Sequence, residues 1–339
     1  MLYGNITDHF SSSFRHYTLI RKNFSMATTT LGKAGITVNP ICIGTWAWGD
    51  KIFWNYGSNY GANEVEAAFK TSLEAGINFF DTAEVYGNGL SEELLGKFMQ
   101  ETERSAQIAT KYAPLPWRFF PDSVANAVTA SLKRLMVPKV TLYQVHWPFT
   151  FLMSQETLLN ALADEVQQGR IEAVGVSNYS KEEMIQAHKI LEKRGVILAT
   201  NQVKYSLLSR KIEAKGILDT AQKLEITILA YSPLAQGLLT GKYTFEKSPI
   251  GARQFDSRFQ KSGLEKIAPV MSLLKKIGEK YDKTPAQVAL NWLVFQDSVI
   301  PIAGCKNSEQ VRQNIGAIGW EMTQEEFNQL EQITRPWLN

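Results

Sequence analysis

Cysteine is almost missing from the 339 residues: there is only Cys42 and Cys305, far apart in the chain. No disulfide framework follows from two such residues, and no CxxC pair exists to bind a metal or run redox chemistry. No apolar run approaches the roughly 18 residues that a membrane-spanning helix needs. Charge of one sign is also missing. Lys plus Arg is 36 and Asp plus Glu is 33, a net of +3. A surplus that small leaves no polyanion-binding face and argues against nucleic acid as a partner. Histidine is scarce, with four residues, so no metal site is expected. What is present is apolar: 44% of the chain, with 17 Phe, 12 Tyr and 8 Trp. That composition buries a real core and excludes disorder as a class. The length fits one large α/β domain or two ordinary ones. The expected class is a soluble cytoplasmic protein.

Residues 1–25 differ from the rest. They carry Arg15, Arg21 and Lys22 against Asp8, several serines, and no clean period. A basic, Ser-rich, acid-poor segment suits an organelle transit peptide, which makes a plastid the alternative location. The plainer reading is a non-core extension ahead of Met26. Without these residues the net charge falls to +1, and His9 and His16 go with them.

From Met26 onward the chain alternates short apolar runs with helical patterns. A hairpin is expected first, Thr28–Leu31 and Ile36–Val38 about a Gly32–Gly35 turn. Eight strands follow: Ile41–Thr45, Ile77–Phe80, Gln107–Thr110, Val140–Val145, Ala173–Val176, Ala199–Val203, Thr227–Ala230 and Val299–Ile302. Between them run helical patterns over Glu64–Ala75, Ser91–Gln100, Asp122–Leu135, Glu156–Gln168, Lys181–Arg194 and Glu213–Leu224. A long insertion, Pro233–Gly263, precedes helices at Leu264–Tyr281 and Pro285–Phe295. Helices over Ser308–Ile318 and Gln324–Ile333 close the chain. Ser180 with Glu183 and Thr323 with Glu326 read as capping boxes, and Thr284 caps a helix with Pro285 at its first position. The strands are continuous apolar runs, as in a parallel sheet covered on both faces. Eight strand–helix units predict a closed (β/α)8 TIM barrel over 26–339, with an N-terminal hairpin and extra C-terminal helices. An open doubly wound sheet usually carries Gly-x-Gly-x-x-Gly after its first strand, and none occurs.

Function in such a barrel sits at the C-terminal ends of its strands. Asp81 ends the second strand, with Tyr86 in the loop beyond; Lys111 ends the third and His146 the fourth. Any one of them alone has an ordinary structural explanation. Four titratable residues after three consecutive strands is a different pattern. Carbonyl reduction needs a hydride to carbon and a proton to oxygen. A phenol with a pKa near 10 is a poor acid–base group, and a nearby Lys cation is expected to lower it. An Asp keeps that Lys charged, and an imidazole holds the substrate oxygen.

These residues stand in familiar segments: Gly76-Ile77-Asn78-Phe79-Phe80-Asp81-Thr82-Ala83, Tyr86-Gly87, Ser91-Glu92-Glu93-Leu94-Leu95-Gly96 and Thr110-Lys111. Further on come Gln144-Val145-His146-Trp147-Pro148, Gly175-Val176-Ser177-Asn178-Tyr179, Asn201-Gln202-Val203 and Tyr231-Ser232-Pro233-Leu234. With them the chain resembles the aldo-keto reductase family over residues 28–335, nearest the branch of bacterial and plastid oxidoreductases, pyridoxal reductases and channel β subunits. The resemblance implies NADPH-dependent reduction of aldehydes or ketones, with NADH as the alternative cofactor and Tyr86 as general acid. It implies that Thr45 and Trp46 lie beside the cofactor. Ser177, Asn178 and Gln202 would hold the nicotinamide carboxamide, and Tyr231 would stack on the ring. Ser232, Pro233, Leu234, Gly237, Leu238 and Lys242 would wrap the pyrophosphate. Gly304 and Lys306 would take the adenosine 2′-phosphate, with Gln310, Gln313 and Asn314 near the adenine. Ala303 replaces a common Pro and Gln313 a common Glu, so NADPH rests mainly on Lys306. Arg312 is expected to face away.

Trp48, Tyr112, Trp117 and Trp147 are the expected substrate wall. Trp54 is a further candidate for it. The expected partner is a small aldehyde or ketone, for a monomer or small homo-oligomer. A second function is a cofactor-binding regulatory subunit with little turnover. A third, a phosphate-binding barrel isomerase, needs a carboxylate base that does not stand out near His146.

Overall fold

A computed structural model describes residues 28–149, 151–244, 246–247, 249 and 251–339. The expected extension over 1–25 lies outside the described residues. Two short strands, β1 (Thr29–Thr30) and β2 (Thr37–Val38), form the antiparallel hairpin. Eight parallel strands then close a barrel: β3 (Cys42–Gly44), β4 (Phe79–Asp81), β5 (Gln107–Tyr112), β6 (Val140–Val145), β7 (Ile171–Ser177), β8 (Leu198–Lys204), β9 (Thr227–Tyr231) and β10 (Val299–Gly304). Strand β10 pairs with both β9 and β3, so the sheet has no edge. The chain is a (β/α)8 barrel, as the strand–helix alternation predicts. No helix among the described residues is long and apolar enough to cross a membrane.

The strands are buried almost throughout, which is why they read as unbroken apolar runs. Leu142, Ala173, Leu229 and Ile300 fill the barrel interior, while a larger cluster packs the helices onto its outside. The expected capping boxes at Ser180 and Thr323 are formed, and Thr284 makes a third with Gln287. Several strands run one to three residues longer than the apolar pattern suggested, because polar residues such as Lys111, Ser177 and Lys204 continue the ladder. The expected helix over Glu213–Leu224 is two pieces, Lys211–Ala214 and Ile217–Lys223. Gly216, at φ 67°, breaks it in a left-handed conformation that favours glycine.

Strand register sets the site. Asp81 pairs with Gly44 at the end of β4, Lys111 with Gln144, and Ser177 with Gln202. These polar residues therefore stand near one end of the barrel. Gly175 makes room among them. A Cβ there would lie 2.2 Å from Thr200 Oγ1 and 2.9 Å from Gln144 Cγ.

Candidate active site

A cleft of about 950 Å³ opens at the C-terminal ends of the strands. That is the upper range for a small-molecule site. Its inner end holds Tyr86, on a short turn after β4, with Asp81, His146 and Trp46. Lys111 lies behind, fully buried. Its ammonium donates to Asp81 Oδ1 at 2.6 Å, to the Thr82 carbonyl at 2.8 Å and to Tyr86 Oη at 3.2 Å. All three of its hydrogens are used. Asp81 Oδ2 accepts from Gln202 Nε2 at 2.7 Å and from Gln144 Nε2 at 3.2 Å. The Tyr86 and His146 rings meet edge-on, 5.8 Å apart. The structure thus brings the four candidate catalytic residues together.

The electrostatics differ in one respect from expectation. Burial acts to lower Lys111, but attraction to Asp81 and Tyr86 outweighs it, and the ammonium is held more firmly than usual. For Tyr86, burial is the largest influence and raises the phenol above its ordinary value. Lys111 pulls the other way without overcoming it, so the expected lowering does not occur. Burial, and then the charge of Lys111, push His146 down to about 3. Its imidazole is therefore neutral at pH 7, and its buried Nδ1 has no hydrogen-bond partner among the described residues.

The wall beyond is built from Ser177, Asn178, Gln202 and Tyr231. Tyr231 O–H donates to Asn178 Oδ1 at 3.0 Å, and Ser177 O–H to the Gln202 carbonyl at 2.9 Å. Gln202 Nε2 also donates to Gln144 Oε1 at 3.2 Å, so its own side-chain oxygen is the atom left for a ligand. Ser232, Pro233, Leu234 and Gly237 line the next stretch. Asn178, Ser232, Ala235 and Gln236 there have φ between 48° and 62°, unusual for residues with side chains and common at binding sites. At the far end, Lys242, Arg253 and Lys306 line one region with Gly304, Gln310, Gln313 and Asn314. No ion pair joins Lys242, Arg253 or Lys306 to a carboxylate among the described residues. Burial, then Arg253 and Lys242, bring Lys306 down to about 8. Three unneutralised cations beside the N-terminus of the Ser308–Ile315 helix suit a phosphorylated ligand. A largely apolar cleft with amide and hydroxyl groups along its middle and this cationic end fits a nicotinamide dinucleotide.

Other expected residues are placed elsewhere. Trp48 is fully buried, packs on Phe80 and Phe98, and donates to the Cys305 carbonyl at 2.9 Å, so it is core and not substrate wall. Tyr112 is buried too. It bonds Ser123 and lies under the Arg118 guanidinium. Trp117 is 68% exposed on the loop beyond, outside the cleft. Trp147 stacks behind His146 and on Phe149 rather than lining the cleft. Thr45 is buried and donates to the Asp81 carbonyl at 3.0 Å, and Leu238 is core. Arg312 lies outside the cleft, 3.9 Å from Glu309. Gln144 is the functional neighbour that sequence reasoning passed over. Its signal was an amide side chain inside a largely apolar strand. Glu84 is another. It accepts from Arg118 Nη1 and Nη2, at 2.6 and 2.9 Å, and pins the loop after β5.

The model of the aldo/keto reductase family matches residues 40–335. This chain belongs to the aldo/keto reductase family. It is 40% identical over 308 residues to the chloroplastic pyridoxal reductase of Arabidopsis thaliana, covering 87% of this chain and 83% of that protein. It is 30% identical to the NADH-specific methylglyoxal reductase of Escherichia coli, over 86% of this chain and 94% of that one. Among solved structures, a glycerol dehydrogenase from Gluconobacter oxydans superposes with a TM-score of 0.81 at 31% identity, covering 93% and 97% of the two chains. The aldo/keto reductase described here is therefore a carbonyl oxidoreductase. The regulatory-subunit alternative finds no support among these relatives.

Proposed function

We propose that this aldo/keto reductase is an NADPH-dependent reductase of aldehyde and ketone carbonyls in which Tyr86 delivers the proton. The observation that carries the reading is the Tyr86 hydroxyl on the cleft wall, 3.2 Å from a buried Lys111 ammonium. The bound cofactor supplies the hydride to the carbonyl carbon. Tyr86 donates its O–H to the carbonyl oxygen and gives up the proton as charge develops there. Its raised pKa keeps that proton in place at neutral pH until substrate arrives. Lys111 stabilises the phenolate left behind. Asp81 keeps Lys111 charged, and Gln144 and Gln202 hold the second Asp81 oxygen. His146, neutral, offers an N–H to the substrate oxygen without adding charge. Trp46 and Val85 give the cleft an apolar wall beside Tyr86.

Lys242, Arg253 and Lys306 favour NADPH over NADH, because only NADPH brings a third phosphate to three unpaired cations. Family membership does not decide this, since the Escherichia coli relative is named NADH-specific. The named relatives make pyridoxal and methylglyoxal the first substrates to try, followed by nitrobenzaldehydes. The partner is a small carbonyl compound, and the protein acts as a monomer or small homo-oligomer. The cytoplasm is the proposed location, with the plastid as alternative given the chloroplastic relative. The test is cofactor oxidation with this panel by wild type and Tyr86→Phe. Turnover is lost in the variant while cofactor binding survives; a variant that kept its rate would remove Tyr86 from the mechanism.

A further inference from the structure

Lys306 is held without an acid. Its Nζ lies 4.7 Å from the centre of the Trp54 ring and 4.3 Å from that of Tyr60. It also donates to the Trp54 carbonyl at 3.1 Å. The Arg253 guanidinium stacks over Trp54 at 5.1 Å, so one indole carries two cations. Both rings come from the loop between β3 and the Ala62–Glu74 helix, at the opposite end of the chain from Lys306. That loop is itself tied down. Asp50 Oδ1 accepts from the N–H groups of Phe53 and Trp54 at 2.7 and 3.2 Å, and Tyr60 O–H donates to the Ala47 carbonyl at 2.6 Å. Trp46 meets Trp54 edge-on at 5.5 Å.

We propose that Trp54 and Tyr60 form an aromatic cage that sets cofactor selectivity, by holding the Lys306 ammonium ready for the adenosine 2′-phosphate. The proposal rests on the reading that this phosphate sits at Lys306. The physical logic is the difference between two ways of holding a cation. A carboxylate would fix the ammonium and also neutralise it, and so compete with the phosphate. Aromatic faces attract the cation through their quadrupoles and leave its charge intact. The cage therefore orders a flexible side chain in advance and keeps its field for the ligand. Trp54 and Tyr60 are positioning residues that act through Lys306, and NADH, without a 2′-phosphate, does not draw on them.

The cage has a pH signature. The charged groups acting on Lys306 are Arg253 and Lys242 from the insertion and Asp50 from the first loop. Glu309, on the Ser308–Ile315 helix, lines the same cleft, and Tyr60 is held neutral by burial. With burial, they leave Lys306 at about 8. Above that pH the amine loses its proton and its attraction for phosphate. NADPH affinity then falls with rising pH, while NADH affinity stays level.

The test is isothermal titration of the full chain with NADPH and with NADH between pH 7 and 9.5. It uses wild type, Lys306→Met, Trp54→Leu and Trp54→Phe. Lys306→Met weakens NADPH by about tenfold or more and leaves NADH within about twofold. Trp54→Leu weakens NADPH by roughly threefold to tenfold, spares NADH, and moves the alkaline limb to higher pH as water reaches the amine. Trp54→Phe keeps an aromatic face and stays near wild type. If Lys306→Met treats the two cofactors alike, the 2′-phosphate lies elsewhere and the underlying reading fails. If Lys306→Met discriminates but Trp54→Leu leaves both the ratio and the limb unchanged, the cage is overturned.

Discussion

The two ends of the cleft each hold a largely buried lysine, and the two behave oppositely. Lys111 has a carboxylate 2.6 Å away and is held protonated more firmly than a free lysine. Lys306 has two aromatic rings and a carbonyl in place of an acid, and falls to about 8. Burial disfavours the charge at both, so the neighbouring charges separate them: the Asp81 carboxylate at Lys111, and the Arg253 and Lys242 cations at Lys306. Lys111 is internally satisfied. Its charge serves Tyr86, and every hydrogen is committed. Lys306 carries a charge that its surroundings do not cancel, which is the condition for drawing in an anion. The same residue type is a fixed part at one end and an open binding group at the other.

The largest effect expected is at the catalytic end. Tyr86→Phe lowers kcat by roughly 10²–10⁴-fold, measured with saturating cofactor. A smaller loss would mean that the Lys111–Tyr86 contact is structural. Asp81→Asn next breaks the contrast directly, turning Lys111 into a buried cation without an acid. Stability falls by about 3–5 kcal/mol in urea unfolding, the cost typical of orphaning one member of a buried pair. A loss well under that would mean that the Thr82 carbonyl and the Tyr86 hydroxyl hold the ammonium without an acid, as one carbonyl and two rings do at Lys306.

Trp48→Phe probes the other end from behind. It removes the indole N–H from the carbonyl of Cys305, the residue before Lys306. A destabilisation of about 1–3 kcal/mol is expected, from a carbonyl left unpaired in the core. The KM for a small aldehyde stays as in wild type, because the ring does not face the cleft; a raised KM would return Trp48 to the substrate wall.

The last effect is with pH. His146 drops from an ordinary value near 6.5 to about 3 on folding. Between these values the unfolded chain holds a proton that the folded one refuses. The stability contributed above pH 6.5 is therefore lost progressively as pH falls toward 3. Urea midpoints between pH 7 and 4 follow this slope, and His146→Gln flattens it. An unchanged slope in that variant would show that His146 takes up its proton in the folded protein as readily as in the unfolded chain.

Much of this was legible in the chain itself. The helices over Asp122–Leu135 and Gln324–Ile333 and the strand Val140–Val145 have the bounds that the sequence pattern predicts. Periodicity and caps are local signals, and helices and strands answer to them. The four candidate catalytic residues were legible because a barrel presents its strand ends on one face. The aromatic residues were not. Trp46 and Trp48 are two apart after β3, yet one lines the cleft and the other is core. A loop has no period from which to read that alternation.

Residue types and their order, then, were determined by the sequence alone: eight strands, a Tyr–Lys–Asp–His set, and a lysine after the last strand. Direction was decided only by the tertiary structure. Whether a phenol is raised or lowered, and whether a lysine is paired or open, depends on burial and on partners distant in the chain. Gln202 reaches Asp81 from 121 positions away, and Lys306 reaches Trp54 from 252. Desolvation and Coulomb attraction act through space, and folding alone fixes those distances.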